Sequence, residues 1–247
     1  MQISYRTAWL PKNGCAIDEY EDAFSPLQAT ADAGKEFRCA VADGATETSF
    51  SGLWAKILCD GYVSGQTCMA TLQNQWLEQV STLNLPWYAE QKLESGAYAA
   101  FVFLSLRQEG AHISWTAEAI GDCCLFHVQD GKLVKSFPIE TWQDFNNSPL
   151  LMASRADRNE EALAAVKNAG GKCKAGDLFY LMSDAISNWF LRKHAEDGDA
   201  VEALTKVKEQ SALEELCAKQ RTLKDSDGRA LMPNDDVTVV QIAITSC

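Results

Sequence analysis

Acidic residues recur at the ends of apolar runs in this chain. Asp43 directly follows one apolar run, Asp184 follows a second, and Asp235 and Asp236 precede a third. Several carboxylates that lie close together repel one another unless a positive charge lies between them. Oxygen ligands without His or Cys favour a hard cation, Mg²⁺ or Mn²⁺. If the strand ends converge on one rim of a sheet, the acids form a metal site, although a single Asp more often serves as a turn residue or a helix cap.

A pair of hard cations suggests phosphoester chemistry. Two such ions can share a bridging water, lower its pKa and orient it toward a phosphorus atom. Gly44 follows Asp43 and has no side chain, so its carbonyl can approach an ion closely. Periodicity alone does not establish that the acids converge. The residues by themselves therefore indicate no more than an acidic metal site.

Cysteine and histidine usage argues against other reactive centres. The nine cysteines include no Cys-x-x-Cys pair, and none is followed by Arg at the spacing of cysteine-dependent phosphatases. An odd number of cysteines in a chain of this length indicates buried reduced thiols rather than a disulfide framework. No two of the histidines, His112, His127 and His194, lie at a metal-ligand spacing, which argues against zinc.

The charge of the chain limits its partners. A formal net charge of −12 argues against nucleic acid or an anionic membrane as the main partner. Met1–Lys12 has no basic segment followed by an apolar one, so no signal peptide is predicted. The longest apolar run, Ala97–Leu106, reaches about half the length of a membrane-spanning helix. We therefore expect a soluble, cytoplasmic protein with no membrane partner, and the composition leaves its oligomeric state open.

Hydrophobic periodicity predicts an α+β fold. Alternating segments predict strands at Gln2–Leu10, Glu36–Ala42, Gly176–Met182 and Asp236–Thr245, and four antiparallel strands with short turns across Ala97–Pro138. Helical periodicity predicts helices after Ser51 and over Met69–Leu83, Ala185–His194 and Ala200–Leu223. Because the first and last strands flank everything else, residues 1–247 are expected to form a single domain. We expect two antiparallel sheets packed together with helices outside.

Five segments, taken in order, resemble the motifs of the metal-dependent (type 2C, PPM-type) serine/threonine protein phosphatases. The resemblance runs from about Tyr20 to Ile244, and the chain looks like a bacterial member. Each motif is weak alone, but the five occur in the right order, each on the expected strand or turn. The segments are Glu21-Asp22, Asp43-Gly44 after an apolar strand, Gly121-Asp122 in a hairpin, a Gly-Asp, strand, Ser-Asp element with Asp184, and Asp235-Asp236 before a Thr-Val-Val strand.

The resemblance implies a four-layer α-β-β-α sandwich with a centre of two Mg²⁺ or Mn²⁺ ions. It implies direct attack of a metal-bound hydroxide on a phosphoserine or phosphothreonine of a protein substrate, without a phosphoenzyme. No other cofactor is implied. By this resemblance, Asp43 would bridge the two ions, and Asp184 and Asp235 would bind the first. Glu21 and the Gly44 carbonyl would bind the second ion, largely through water, and Asp22 would hydrogen-bond metal-bound water. Asp122, with Asp184, would form a weaker third metal site.

The chain departs from the family pattern at the position that grips the substrate phosphate. The family usually has an Arg upstream of the Glu-Asp pair, and Ile17 stands at the matching place. Lys12 is the nearest cation, and Arg6 and Arg38 are alternatives on predicted strands. An ordinary surface role is the preferred interpretation of Lys12.

Two further departures concern the leaving group and a backbone turn. The family's Asp-Gly-His becomes Asp43-Gly44-Ala45, so a His that can serve as a general acid is missing, and water would have to protonate the leaving group. Ala185 replaces the glycine that follows the metal-binding Asp, which requires a negative φ there. The segment between Asp122 and Asp184 is also short, which indicates a reduced flap on the substrate side.

Three hypotheses follow from the sequence. The leading one is a metal-dependent phosphoprotein phosphatase. The second is a pseudophosphatase that keeps the fold and binds phosphoproteins as a regulatory module, since the Arg and the His are missing. The third is that the acids are only caps and turns, in which case no metal site exists.

Overall fold

Alternating apolar residues build two antiparallel sheets. The computed structural model describes residues 1–26, 30–31, 36–83, 93–110, 112–146 and 148–246. The strands are β1 (Gln2–Leu10), β2 (Asp22–Ser25), β3 (Thr30–Ala31), β4 (Glu36–Gly44), β5 (Tyr98–Glu109), β6 (His112–Ile120), β7 (Cys124–Gln129), β8 (Lys132–Phe137), β9 (Met152–Ala153), β10 (Lys167–Cys173), β11 (Leu178–Met182) and β12 (Val237–Ser246). The first sheet has the order β3-β1-β12-β11-β7-β8, and the second has the order β10-β6-β5-β4-β2 with β9 added to β5.

Helices cover the outer face of each sheet. The helices described in full are α1 (Ser51–Ser64), α2 (Met69–Ser81), α3 (Glu160–Ala165), α4 (Asp184–Glu196), α5 (Ala200–Thr205) and α6 (Gln210–Thr222). Helices α1 and α2 bury Trp54 and Trp76 against the second sheet. On the first sheet, α4 buries Trp189 and Phe190, and α5 and α6 add Leu204 and Leu213 to the same cluster. The result is the predicted four-layer α-β-β-α sandwich.

The central layer of the core lies between the two sheets. It is made of side chains that alternate inward along the strands of both sheets, such as Val41 and Leu104 from one sheet and Leu181 and Ile242 from the other. Such a core fixes the register, because a slip of one residue would turn every apolar side chain away from the opposing sheet. The sheets are therefore held face to face, and the ends of their strands are placed side by side.

The predicted elements are found with small changes in their bounds. Strand β4 continues to Gly44, helix α4 starts at Asp184, and the predicted helix over Ala200–Leu223 is two helices, α5 and α6. The predicted helix over Met69–Leu83 is α2, which ends at Ser81.

Sequence analysis did not predict helix α3 or strand β10. Strand β10 has the sequence KNAGGKC, which has little strand propensity. It pairs with β6 all the same, and its glycines let it approach Trp115 of that strand. A Cβ on Gly171 would lie 2.9 Å from Nε1 of Trp115, so the close approach requires glycine.

A buried polar cluster fastens the strand ends farthest from the acidic edge. The Asp177 carboxylate is fully buried and accepts hydrogen bonds from His127 Nε2 (3.0 Å), Gln129 Nε2 (2.8 Å) and the Lys174 N–H (3.1 Å). Burial lowers the pKa of His127, so the ring is neutral and donates one proton to Asp177. The cluster joins β7, the β10–β11 turn and β11.

Asp177→Ala should lower the free energy of unfolding by about 3 kcal/mol, because it removes the buried acceptor shared by the His127 ring, the half-buried Gln129 side chain and the Lys174 N–H. Urea unfolding measures the change. The matched control is Glu140→Ala, which removes an exposed ion pair with Lys135 and should cost less than about 1 kcal/mol. Equal losses in the two variants would contradict a structural role for the cluster.

Candidate metal centre

Four aspartates from distant segments meet at one edge of the sandwich. Asp43 lies near the end of β4, and Asp122 lies in the turn that crosses from β6 of one sheet to β7 of the other. Asp184 is the first residue of α4, directly after β11, and Asp235 precedes β12. All four line one open cleft of about 340 Å³. The convergence that periodicity left open is therefore present.

Burial and mutual repulsion raise the pKa values of these acids. The pKa of Asp43 is raised well above its usual range, first by burial and then by the charges of Asp22, Asp184, Asp122 and Asp235. The pKa of Asp184 is raised in the same way, by burial and then by Asp122 and Asp235. Burial raises the pKa of Asp122 to about 6. None of the described residues that line the cleft is a Lys, Arg or His, so no protein cation there offsets the repulsion.

Asp22 is buried beside the cleft and pairs directly with Asp43 across strands β2 and β4. Its Oδ2 accepts a hydrogen bond of 2.6 Å from the Thr238 hydroxyl. Its Oδ1 is buried and has no hydrogen-bond partner among the described residues. Burial, with the nearby charge of Asp236, raises the pKa of Asp22 to about 7, although the hydroxyls of Thr238 and Ser183 both act to lower it. An unpartnered, buried carboxylate oxygen next to other carboxylates is costly unless a cation or a proton neutralises it.

Glu21 lines a neighbouring cleft of about 500 Å³, which shares Thr46 with the first. Its Oε1 accepts a 2.5 Å hydrogen bond from the Ser51 hydroxyl, and its Oε2 lies 4.0 Å from Nζ of Lys12. The same Nζ donates to Oγ1 of Thr46 at 3.1 Å. Thr46 and Lys12 therefore stand at the wall between the two clefts.

The Asp236 carboxylate holds the segment that carries Lys12 and Glu21. It accepts hydrogen bonds from the backbone N–H of Lys12 (2.9 Å) and of Glu21 (2.7 Å). Two backbone donors of this kind fix the position of both residues relative to the start of β12. Asp236 is buried, and its sequence position beside Asp235 did not predict this role.

Gly44 is required by close packing at this edge. Its N–H donates to the Glu21 carbonyl at 3.2 Å. A Cβ at this position would lie 2.6 Å from the carbonyl carbon of Ser51 and 2.9 Å from the Glu21 oxygen. Only glycine allows the start of α1, the Glu21 backbone and the end of β4 to approach this closely.

Lys12 lies at the edge of the site. Its side chain is 20% exposed, lies 4.0 Å from Glu21 and donates to Thr46, and an ordinary surface role for it stays a prediction. Arg38 is not an alternative, since it binds Glu36 and the Tyr62 carbonyl at the other end of β4. The sequence does not predict that Lys12 lies near Glu21, because the loop between them is positioned by hydrogen bonds to Asp236.

Three further expectations concern Ala185, Arg6 and the segment after Asp122. Ala185 lies inside helix α4 and has no positive φ, as its place after Asp184 required. Arg6 is exposed in the middle of β1, paired with Gln241. The short segment after Asp122 lines the cleft with Asn146, Pro149 and Leu151.

The donor set fits hard divalent cations, although no three side chains surround a single point. Among the described residues, no three Asp, Glu, His or Cys side chains form a group that could hold a metal ion by themselves. Mg²⁺ usually binds through one or two carboxylates and keeps several waters, so it does not need such a group. The unpartnered Asp22 oxygen and the raised pKa values at this edge fit the arrival of positive charge. The all-oxygen donors point to Mg²⁺ or Mn²⁺.

Comparison with solved structures finds the same architecture in known enzymes. The photosystem II phosphatase PBCP is 16% identical, with a TM-score of 0.57 over 99% of this chain and 100% of that one. The serine/threonine phosphatase PstP of Mycobacterium tuberculosis is 17% identical, with a TM-score of 0.56 over 99% and 100%. The PstP catalytic domain with two manganese ions is 16% identical, with a TM-score of 0.55 over 99% and 100%. The chain has the fold of these phosphatases.

The similarity to these phosphatases is one of structure. No protein-family model matches the chain, and no curated protein matches it. The fold predicted from the resemblance is confirmed, while the roles of the individual acids stay predictions. None of the described helices is long and apolar enough to span a membrane.

The raised pKa values predict how the stability of the metal-free protein changes with pH. A carboxyl whose pKa is higher in the folded than in the unfolded chain contributes stability below its unfolded value, and this contribution is lost as pH rises through the folded value. For Asp122 the window runs from 3.8 to about 6, and the full loss corresponds to about 3 kcal/mol.

Asp122→Asn should therefore stabilise the metal-free protein by about 3 kcal/mol at pH 8 and by less at pH 5. Urea unfolding in the presence of a chelator measures both values. Asp227→Asn, on an exposed loop, is the control and should change neither. A gain that is the same at both pH values would contradict the assigned pKa shift.

Proposed function

We propose that the chain is a metal-dependent phosphatase that hydrolyses phosphoserine and phosphothreonine in proteins. The observation that carries the proposal is the meeting of Asp43, Asp122, Asp184 and Asp235 in one cleft that no protein cation among its described lining residues neutralises. The fold supports it, since PstP, with two manganese ions in its catalytic domain, has the same architecture. We place the domain over residues 1–247.

The acids would together bind two Mg²⁺ or Mn²⁺ ions. Asp43 would contact both ions, and Asp184 and Asp235 would complete the carboxylates of the first. Glu21 and the Gly44 carbonyl would hold the second, largely through water. Asp122, with Asp184, would form a weaker third site.

The ions would supply an activated water and positive charge for the phosphoryl oxygens. The chain's own residues do the rest. Asp22 lies beside Asp43 and has an unpartnered oxygen that can accept a hydrogen bond from a water. Ala45 stands where the Asp-Gly-His motif of the family has its His, so the leaving hydroxyl would take its proton from water.

Lys12 is the cation that we propose for the substrate phosphate. It is the only Lys, Arg or His among the described residues that line the two clefts. The Lys12 Nζ donates to Thr46 at the wall between the clefts, where it can also reach an entering phosphoryl oxygen. Its backbone is held by Asp236, so its position does not depend on the substrate.

The proposed location is the cytoplasm. All the cysteines among the described residues are free, and most of them are buried. Reduced thiols suit a reducing compartment.

Asp43→Asn and Asp184→Asn should each abolish the release of phosphate from a phosphothreonine peptide in the presence of Mn²⁺, because each variant removes a carboxylate charge from the centre. A chelated wild-type sample should be equally inactive. Asp157→Asn, whose exposed side chain lies away from the acids, is the matched control and should keep full activity.

Undiminished hydrolysis in both site variants would overturn the assignment. A wild-type protein that Mn²⁺ stabilises, that binds the phosphopeptide tightly and that releases no phosphate would instead support the regulatory binding module. The missing Arg and His are the features that favour this second candidate.

Lys12→Met should raise KM for the phosphopeptide about tenfold or more, since a charge-assisted hydrogen bond to the phosphate is lost. Lys12→Arg keeps the charge and should recover much of the affinity. Lys206→Met, which removes an exposed cation that pairs with Glu202 on the surface, is the control. An unchanged KM in Lys12→Met would rule out contact between Lys12 and the phosphate.

A further inference from the structure

A line of hydrogen bonds leads from the surface of the second cleft to the buried Asp22. The Tyr20 ring lines that cleft, and its hydroxyl is hydrogen-bonded to the Thr238 hydroxyl. The Thr238 hydroxyl in turn donates to Asp22 Oδ2 at 2.6 Å. Neither Tyr20 nor Thr238 belongs to the acids that we propose as ligands.

The direction of the protons along this line follows from the donor inventory. When Asp22 is ionised, its oxygens only accept, so the single hydroxyl proton of Thr238 is committed to Asp22. The proton between Tyr20 and Thr238 must then come from the Tyr20 hydroxyl. The line therefore runs Tyr20 to Thr238 to Asp22, and each donor strengthens the next hydrogen bond.

Both ends of the line are fixed by other contacts. The Tyr20 ring packs on Trp9 with ring centroids 4.6 Å apart. Thr238 is fixed through its backbone to Ser183, which accepts from the Thr238 N–H at 2.9 Å and donates its own N–H to the Thr238 carbonyl at 3.2 Å. Ser183 directly precedes Asp184, so Thr238 joins the segments that carry Asp22 and Asp184.

We propose that Tyr20 is a positioning residue that holds the Asp22 carboxylate in one orientation through Thr238. The Asp22 Oδ2 atom accepts from Thr238, so the Asp22 Oδ1 atom is the one that can accept from a water at the proposed metal centre. This Oδ1 atom has no hydrogen-bond partner among the described residues. A carboxylate held in one orientation does not have to be ordered during the reaction, which lowers the barrier. This inference rests on the proposed phosphatase function.

Tyr20→Phe tests the inference because it removes only the hydroxyl and keeps the ring on Trp9. With Mn²⁺ and a phosphothreonine peptide, kcat should fall about tenfold, the size expected for the loss of one hydrogen bond, and KM should stay unchanged. Thr238→Val should lose as much, and Thr238→Ser should restore most of the activity. The double variant should be no worse than either single one, because both remove the same line.

A second readout uses the metal-free protein. A buried hydroxyl proton that donates to Thr238 exchanges slowly with water and should give its own proton NMR resonance in the wild type. The resonance should be absent from Tyr20→Phe and from Thr238→Val. The control is Tyr62→Phe, since the Tyr62 ring of helix α1 stacks on Phe103 of β5, and it should change neither kcat nor the resonance.

The outcomes separate this inference from the function on which it rests. A wild type without Mn²⁺-dependent hydrolysis would overturn both. An active wild type would overturn the inference alone if Tyr20→Phe kept its kcat, or if the losses of Tyr20→Phe and Thr238→Val multiplied in the double variant.

Discussion

The mutual repulsion of carboxylates at one edge of the sandwich is the constraint on which the rest of the site depends. The charges of Asp22, Asp122, Asp184 and Asp235 each raise the pKa of Asp43. A chain gains nothing in stability from such a cluster, because burial and repulsion both act against the charged forms. The arrangement is favourable when protons or cations enter, and at neutral pH divalent cations are the better neutralising partners for several carboxylates.

The scaffold supplies rigidity to groups that would otherwise separate. The core between the sheets sets the register of every strand that carries an acid, and β2 places Asp22 directly opposite Asp43. Hydrogen bonds to the carboxylate of Asp236 add the segment with Lys12 and Glu21. The same edge also depends on Gly44, where a single methyl group would collide with two backbones. The acids are therefore held together by packing and hydrogen bonds that do not involve their own charges.

The hypothesis that the acids serve only as helix caps and turn residues explains part of their contacts. One oxygen of Asp235 accepts the N–H of Asp236, as in a turn, and one oxygen of Asp184 accepts the N–H of Ala185. Yet the N-cap of helix α4 is Ser183, and its side chain makes no capping hydrogen bond. Turn chemistry uses one oxygen of each of these acids and gives no reason for four of them to share a cleft.

Much of the fold was accessible from the sequence, because alternation and helical spacing report burial directly. The same patterns also predicted that Asp43, Asp184 and Asp235 lie at strand ends. Strand β10 was not, since its glycines serve a contact with Trp115 that no local pattern encodes. The positions of Lys12 and Tyr20 beside the acids could not be predicted, because long-range hydrogen bonds to Asp236 and Thr238 bring them there.

Calorimetric titration of the metal-free protein with Mn²⁺ near pH 6.5 is the most direct test of the central claim. Repeating it in buffers of different ionisation enthalpy gives the number of protons exchanged. Because Asp22, with a pKa of about 7, and Asp122, with a pKa of about 6, are partly protonated there, saturable binding of more than one ion with release of protons is the predicted result. Absence of saturable binding, or binding without proton release, would contradict a cluster of carboxylates that awaits cations.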